Sequence, residues 1–110
     1  MESNAEALVN TVNTVGVMGK GIALQFKNAY PSNFKEYVNA CKNKDIEIGK
    51  LFVFKDSNLK TGVKYIVNFP TKRDWRKPSE YSFIELGLED LKRVLEKYNI
   101  KSVAIPPLGA

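Results

Sequence analysis

Two asparagines set three residues apart, Asn10 and Asn13, open the segment NTVNTVGVMGKGIALQFK, and Gly16, Gly19 and Gly21 follow them. A carboxamide donates and accepts hydrogen bonds at once, which suits ribose hydroxyls. Glycines let backbone N–H groups come close to a ligand, and a helix beginning after them aims its N-terminal dipole at the loop. That is an anion-binding arrangement. GKGIA carries no Ser or Thr after Lys20, which argues against P-loop nucleotide hydrolysis. Spacing alone also leaves open a plain turn, in which the glycines bend the chain and the asparagines cap it.

Two further segments could carry chemistry. In FPTKRDWRKP, Phe69 to Pro78, the cations Lys72, Arg73, Arg76 and Lys77 surround Asp74 and Trp75. Cations around an aromatic ring can hold phosphates and stack a base. A solvated charged loop is the plainer reading, weakened by the tryptophan, since large aromatics in loops usually have a partner. The third segment is IPPLGA, Ile105 to Ala110, where prolines and a glycine follow a strand and suggest another close-approach loop.

Composition narrows the chemistry. There is no histidine and one cysteine, so His-based triads, His–Cys zinc sites, Cys-rich zinc sites and internal disulfides are excluded. An acid, base or nucleophile must then be Lys, Asp, Glu, Tyr, Ser, Thr or Cys41. No metal or cofactor is expected. A net charge of +5 and a pI near 9.3 favour a polyanionic partner, although solubility alone would also account for them. No apolar run approaches the roughly 18 residues that span a bilayer. The N-terminus lacks the pattern of a signal peptide, so a cytoplasmic setting without membrane contact is expected.

These segments must be positioned by regular elements. Glu6–Asn13 reads as a buried strand. Ile22, Ala23, Phe26 and Ala29 recur at helical spacing up to Pro31. A second helix is expected from Asn33, with Asn33 as N-cap and Glu36 completing a capping box. Its apolar face would be Phe34, Tyr37, Val38 and Cys41, which makes Cys41 a core residue. Lys50–Lys55 and Lys64–Pro70 read as strands. Pro78 and Ser79 should start the longest helix, with Tyr81, Ile84, Leu88, Leu91 and Leu95 facing inward and Asn99 closing it. Ser102–Pro106 is a last strand. Strands interleaved with amphipathic helices predict one α/β domain, residues 1–110, with a mixed sheet. The loops Asn13–Gly21, Pro70–Pro78 and Pro106–Ala110 should converge beyond the strand ends, where such sheets bind ligands.

Taken together, the segments resemble a macrodomain, the ADP-ribose-binding α/β fold. ALVNTVN resembles the family's first-loop signature. VGVMGKGIALQFK is similar to the branch that removes ADP-ribose from modified DNA, the DarG-type antitoxins of DNA ADP-ribosyltransferase toxins. It is similar, less closely, to the terminal ADP-ribose protein glycohydrolases. YIVNFPTKRDWRKPSEY matches the same antitoxin branch, and AIPPLG resembles the start of the family's second phosphate loop. The resemblance implies an α/β/α sandwich and a glycohydrolase acting on ADP-ribosylated, single-stranded DNA, with a cognate toxin as partner. A non-catalytic ADP-ribose reader is the alternative.

The resemblance also implies residue roles. Lys72 would be catalytic at the anomeric carbon, flanked by Thr71 and Arg73. Asn13 would face the distal ribose, with Asn10 in support. Thr14, Gly16, Val17, Met18, Gly19, Lys20, Gly21 and Ile22 would wrap that ribose and the diphosphate. Pro107, Leu108, Gly109 and Ala110 would open the diphosphate loop. Arg73, Trp75, Arg76 and Lys77 would meet nucleic acid. The family usually has one strand before this point, whose acidic residue holds adenine, and a further loop and helix after it. The expectation is a macrodomain lacking that first strand and last loop-helix, with a bare sheet edge that favours dimerisation.

Overall fold

At the centre of the computed structural model, which describes residues 5–16, 21–55, 63–73 and 80–106 with backbone alone at 21–23, lies β1, Ala7–Asn13. It is buried on both faces because strands flank it and helices cover it. Strand β3, Tyr65–Lys72, pairs with it in parallel from Ala7 opposite Tyr65 to Asn13 opposite Lys72. The register slips between Val12 and Asn13. On the far side of β1 lies β4, Val103–Ala104, also parallel and opposite Ala7 and Leu8. Strand β2, Phe52–Lys55, runs antiparallel to β3 from Phe52 opposite Asn68 to Lys55 opposite Tyr65. The order is β2-β3-β1-β4, a mixed sheet. Strand β2 stops covering β3 at Asn68, so Pro70 lies where β3 is an edge on that side, a setting that tolerates proline.

The helices are α1, Gly21–Ala29, α2, Pro31–Lys42, and α3, Tyr81–Lys97. Alternate strand residues go to opposite layers. Ala7, Val9, Val67 and Phe69 meet Leu91 and Val94 of α3. Leu8 and Ile66 meet Phe26 and Tyr30 at α1, while Val12 meets Tyr37 and Ala40 of α2 with Ile46 behind them. This is the α/β/α sandwich that the resemblance implies, and the elements of the described residues follow the expected order.

Several local expectations are corrected. Helix α2 starts at Pro31, not Asn33; its N-cap is Tyr30 and no side chain caps it. Proline at the first helical position has the right φ and lacks only an N–H that would be unsatisfied anyway. Asn33 therefore lies inside the helix, and the expected capping box does not form. The inner stripe of α2 is Asn33, Tyr37 and Ala40, with Phe34, Val38 and Cys41 only partly covered. Among the described side chains of α1 Phe26 is buried as expected, joined by Tyr30 just past the helix, and Ala29 is exposed; the side chains of Ile22 and Ala23 lie outside the described residues.

The face of α3 is also rotated. Tyr81 is 77% exposed and Leu88 43%, while Phe83, Gly87, Leu91 and Val94 are buried. Gly87 decides this rotation. A Cβ there would lie 2.3 Å from the Phe69 ring, so the helix comes to the sheet on its one position without a side chain. Pro78 and Ser79, expected at the start of α3, lie outside the described residues. Asn99 does close the helix, at φ 52°, with its N–H on the Glu96 carbonyl and the Ile100 N–H on the Leu95 carbonyl. These paired bonds form a Schellman motif. Strand β3 runs two residues further than expected, which places Thr71 and Lys72 on the strand and not in a loop. Strand β4 is shorter than expected, at two residues.

Candidate active site

The parallel pairing of β1 with β3 brings Asn13 and Lys72 opposite each other at the carboxyl ends of two neighbouring strands. The chain then stitches the two exits together. The Thr14 N–H donates to the Lys72 carbonyl at 3.1 Å, and the Thr14 hydroxyl donates to the Arg73 carbonyl at 2.8 Å. Lys72 is half-buried, Thr71 is buried and Arg73 is exposed. The Arg73 guanidinium lies 5.0 Å from the centre of the Phe83 ring, a cation–π contact that restrains it.

Asn13 organises the start of the first loop. Its Oδ1 accepts the N–H groups of Val15 at 3.1 Å and Gly16 at 3.0 Å. The Tyr37 hydroxyl, buried in α2, faces both the Asn13 carbonyl at 2.7 Å and Oδ1 at 2.9 Å. Two backbone donors fix which end of the carboxamide is oxygen. Asn13 thus does cap the turn, as the plainer reading held. Gly16 stands at φ +88°, a conformation that side chains rarely adopt. A Cβ there would meet Cys41 at an ordinary 3.5 Å, so backbone conformation and not space requires the glycine.

Burial pushes the Tyr37 phenol well above its ordinary value, and Cys41 beside it pushes the same way. Burial likewise pushes the Cys41 thiol up. Both groups stay protonated at neutral pH, so Tyr37 is a hydrogen-bond donor and Cys41 is no thiolate nucleophile.

Beneath the two strand exits lies a feature that sequence reasoning missed. Asn10, Asn33 and Asn68 are all fully buried. Asn68 Nδ2 donates to Asn33 Oδ1 at 2.9 Å and to the Phe52 carbonyl at 3.1 Å. Asn68 Oδ1 accepts from Asn33 at 3.2 Å and from Asn10 at 3.4 Å. One carboxamide network therefore ties β1, β2, β3 and α2 together. Asn10 acts from inside the sheet and not at its surface. The signal was present in YIVNFP, where a lone polar residue in an apolar strand must find partners.

Of the three loops expected to converge, the first two leave the sheet side by side. The third follows β4, which runs parallel to β1 and so leaves on the same side. Gly21 and Ile22 begin α1, directly after the first loop. Val17, Met18, Gly19, Lys20, Trp75, Arg76, Lys77, Pro107, Leu108, Gly109 and Ala110 lie outside the described residues. A cleft of about 320 Å³ borders the site, lined by Thr14, Ile46, Glu47, Ile48 and Arg73. Three of these, Ile46, Glu47 and Ile48, come from the α2–β2 connection, in which sequence reading found no candidate.

The chain belongs to the Macro domain family, whose sequence profile matches residues 9–110. It is 57% identical over 109 residues to the DNA ADP-ribosyl glycohydrolase of Mycobacterium tuberculosis, covering 99% of this chain and 31% of that protein. It is 52% identical to the protein of the same name from Thermus aquaticus, over 100% of this chain and 30% of the relative. The chain thus spans about a third of the length of these relatives. The solved macrodomain of Mycobacterium tuberculosis DarG superposes with a TM-score of 0.95 at 57% identity, over 98% of this chain and 70% of that one. Thermosipho africanus DarTG in complex with ADP-ribose superposes with a TM-score of 0.89 at 38% identity, over 97% of this chain and 30% of that one.

Proposed function

We propose that this domain is a glycohydrolase that removes ADP-ribose from modified DNA, with Lys72 acting at the anomeric carbon. The observation that carries the reading is the register of β1 with β3. It sets Lys72 beside Asn13, the residue proposed to face the distal ribose. The names of the relatives, DNA ADP-ribosyl glycohydrolase, support the substrate class. The ADP-ribose bound in the Thermosipho complex supports the ligand.

Cleaving an N-glycosidic bond builds positive charge at the anomeric carbon, and fixing that carbon against a reacting group removes much of the barrier. Asn13 and the loop residues proposed to follow it, Gly16 to Ile22, would hold ribose and diphosphate. Thr71 and Arg73 flank Lys72 in the chain, and Pro107 to Ala110 complete the proposed diphosphate contacts. Lys72 either attacks the anomeric carbon through its amine, breaking the bond to the base, which leaves with a proton, so that the glycosylamine opens to an imine that water hydrolyses to free ADP-ribose and lysine, or positions the departing base. Arg73, Trp75, Arg76 and Lys77 are proposed to hold the single strand. A relative from Thermosipho africanus is a fusion of DNA ADP-ribosyl transferase and glycohydrolase. A transferase toxin in the cytoplasm is the proposed counterpart here.

The test is incubation with ADP-ribosylated single-stranded DNA, alongside binding of free ADP-ribose. Release of ADP-ribose should fall by about 10²-fold or more in Lys72→Ala, the scale of a lost reacting group. ADP-ribose binding should stay within a few-fold. Borohydride should trap a protein adduct that Lys72→Ala abolishes if the amine attacks. Binding without release by the unmodified chain would mark a reader and sink the proposal.

A further inference from the structure

Strand pairing between β1 and β3 ends with Asn13 opposite Lys72, just past the register slip. Beyond that point β1 has only Thr14 with which to hold β3. Its N–H continues the ladder by one step, donating to the Lys72 carbonyl at 3.1 Å. Its hydroxyl adds a bond one residue further on, donating to the Arg73 carbonyl at 2.8 Å. We propose that Thr14 is a positioning residue, which holds the backbone on both sides of the Lys72–Arg73 peptide and so fixes where the lysine side chain starts. The inference rests on the glycohydrolase reading, in which Lys72 acts at the anomeric carbon. It differs from the ligand contact that the resemblance implies for Thr14.

The hydroxyl is committed. A threonine has one O–H to donate, and this one goes to a backbone carbonyl of the neighbouring strand exit. At 2.8 Å the bond is at the length expected of a good O–H···O contact.

The surroundings give the clamp something rigid to hold. Arg73, whose carbonyl it takes, is restrained a second time by its guanidinium, 5.0 Å from the centre of the Phe83 ring on α3. On the other exit, the Tyr37 hydroxyl of α2 reaches the Asn13 carbonyl at 2.7 Å and Oδ1 at 2.9 Å. Each exit is thus tied to a helix, β1 to α2 through Tyr37 and β3 to α3 through Arg73. Thr14 joins the two exits to each other. A lysine ammonium rides on a flexible four-carbon stem, so its aim depends on a fixed starting point. Accurate placement of the reacting group is what lowers the barrier.

Steady-state release from an ADP-ribosylated single-stranded oligonucleotide tests the assignment, with ADP-ribose binding measured on the same preparations. Thr14→Val keeps the backbone N–H and the branched side chain and removes the hydroxyl. Its kcat should fall about 10-fold, within the roughly 10²-fold that a 1 Å misplacement can cost. Its affinity for ADP-ribose should stay within about two-fold of the parent's. Thr14→Ser, which keeps the hydroxyl, should recover most of kcat. In a Lys72→Ala background Thr14→Val should cost less than about two-fold more, because its effect passes through the lysine. Unchanged kcat in Thr14→Val, with an active parent, overturns the positioning role and leaves the glycohydrolase reading standing. Equal losses of kcat and of ADP-ribose affinity make Thr14 a ligand contact and overturn it too. So does an undiminished loss in the Lys72→Ala background. A parent chain that binds ADP-ribose and releases none overturns both.

Discussion

From a fully buried position the Tyr37 hydroxyl reaches the carbonyl and the side-chain oxygen of Asn13. Removing that hydroxyl leaves a buried carbonyl short of a donor while every apolar contact of the ring remains. Tyr37→Phe should therefore cost about 1–3 kcal/mol, the penalty of an orphaned buried acceptor. Urea unfolding measures it, and an unchanged midpoint would show that the bonds carry no net stability. The variant should also bind ADP-ribose more weakly, because Asn13 loses a donor that orients its carboxamide. At this scale the sequence was partly legible. Asn13 stood out because it ends a strand before glycines. Tyr37 was read as one of an apolar stripe, since nothing local reveals where a phenol points. Asn33, two residues after Pro31 and three before Glu36, imitates a helix cap.

Helices α1, α2 and α3 are recognisable by period, yet the inward faces of α2 and α3 are displaced from those expected. Period tells that a helix is amphipathic, but a stripe of large residues is not always the stripe that packs. In α3 the sheet selects Gly87, since only there can the axis come within reach of Phe69. Gly87→Ala tests this. Helix propensity alone would stabilise the protein by about 1 kcal/mol. Overpacking against the Phe69 ring costs about 1–3 kcal/mol. The net result should be destabilisation, read as a lower denaturant midpoint with an unchanged slope. A more stable variant would show that the ring yields at no cost. The strand boundary at Lys72 was misjudged for a related reason. Lysine and arginine after a proline look like loop residues, and only pairing with β1 reveals that the strand goes on.

For the molecule as a whole, the order of elements was legible, and so was the mixed character of the sheet. The spatial order β2-β3-β1-β4 was not, because strand adjacency depends on contacts distant in sequence. Charge was legible from the first, at +5 without histidine. If Lys72, Arg73, Arg76 and Lys77 meet a DNA strand, KM for ADP-ribosylated DNA should climb with salt. The log–log slope should be about 0.7 per phosphate contacted. Free ADP-ribose, with one diphosphate, should respond less. Matching slopes, from titrations between low and physiological salt, would show that the strand adds no ionic contact. Among the described residues no helix is long and apolar enough to cross a membrane.

The slip between Val12 and Asn13 reaches beyond local geometry. Val12 stands opposite Pro70 and Asn13 opposite Lys72, so Thr71 has no counterpart on β1. Side chains alternate along a strand, and one residue more or less exchanges its two faces. That odd residue therefore works like a parity bit for everything downstream. A graft that imported a regularly paired β3 would preserve every contact up to Pro70 and still turn the lysine through the sheet into the other layer. Any transplant of the 70–80 segment between homologues must carry the mismatch along with the lysine.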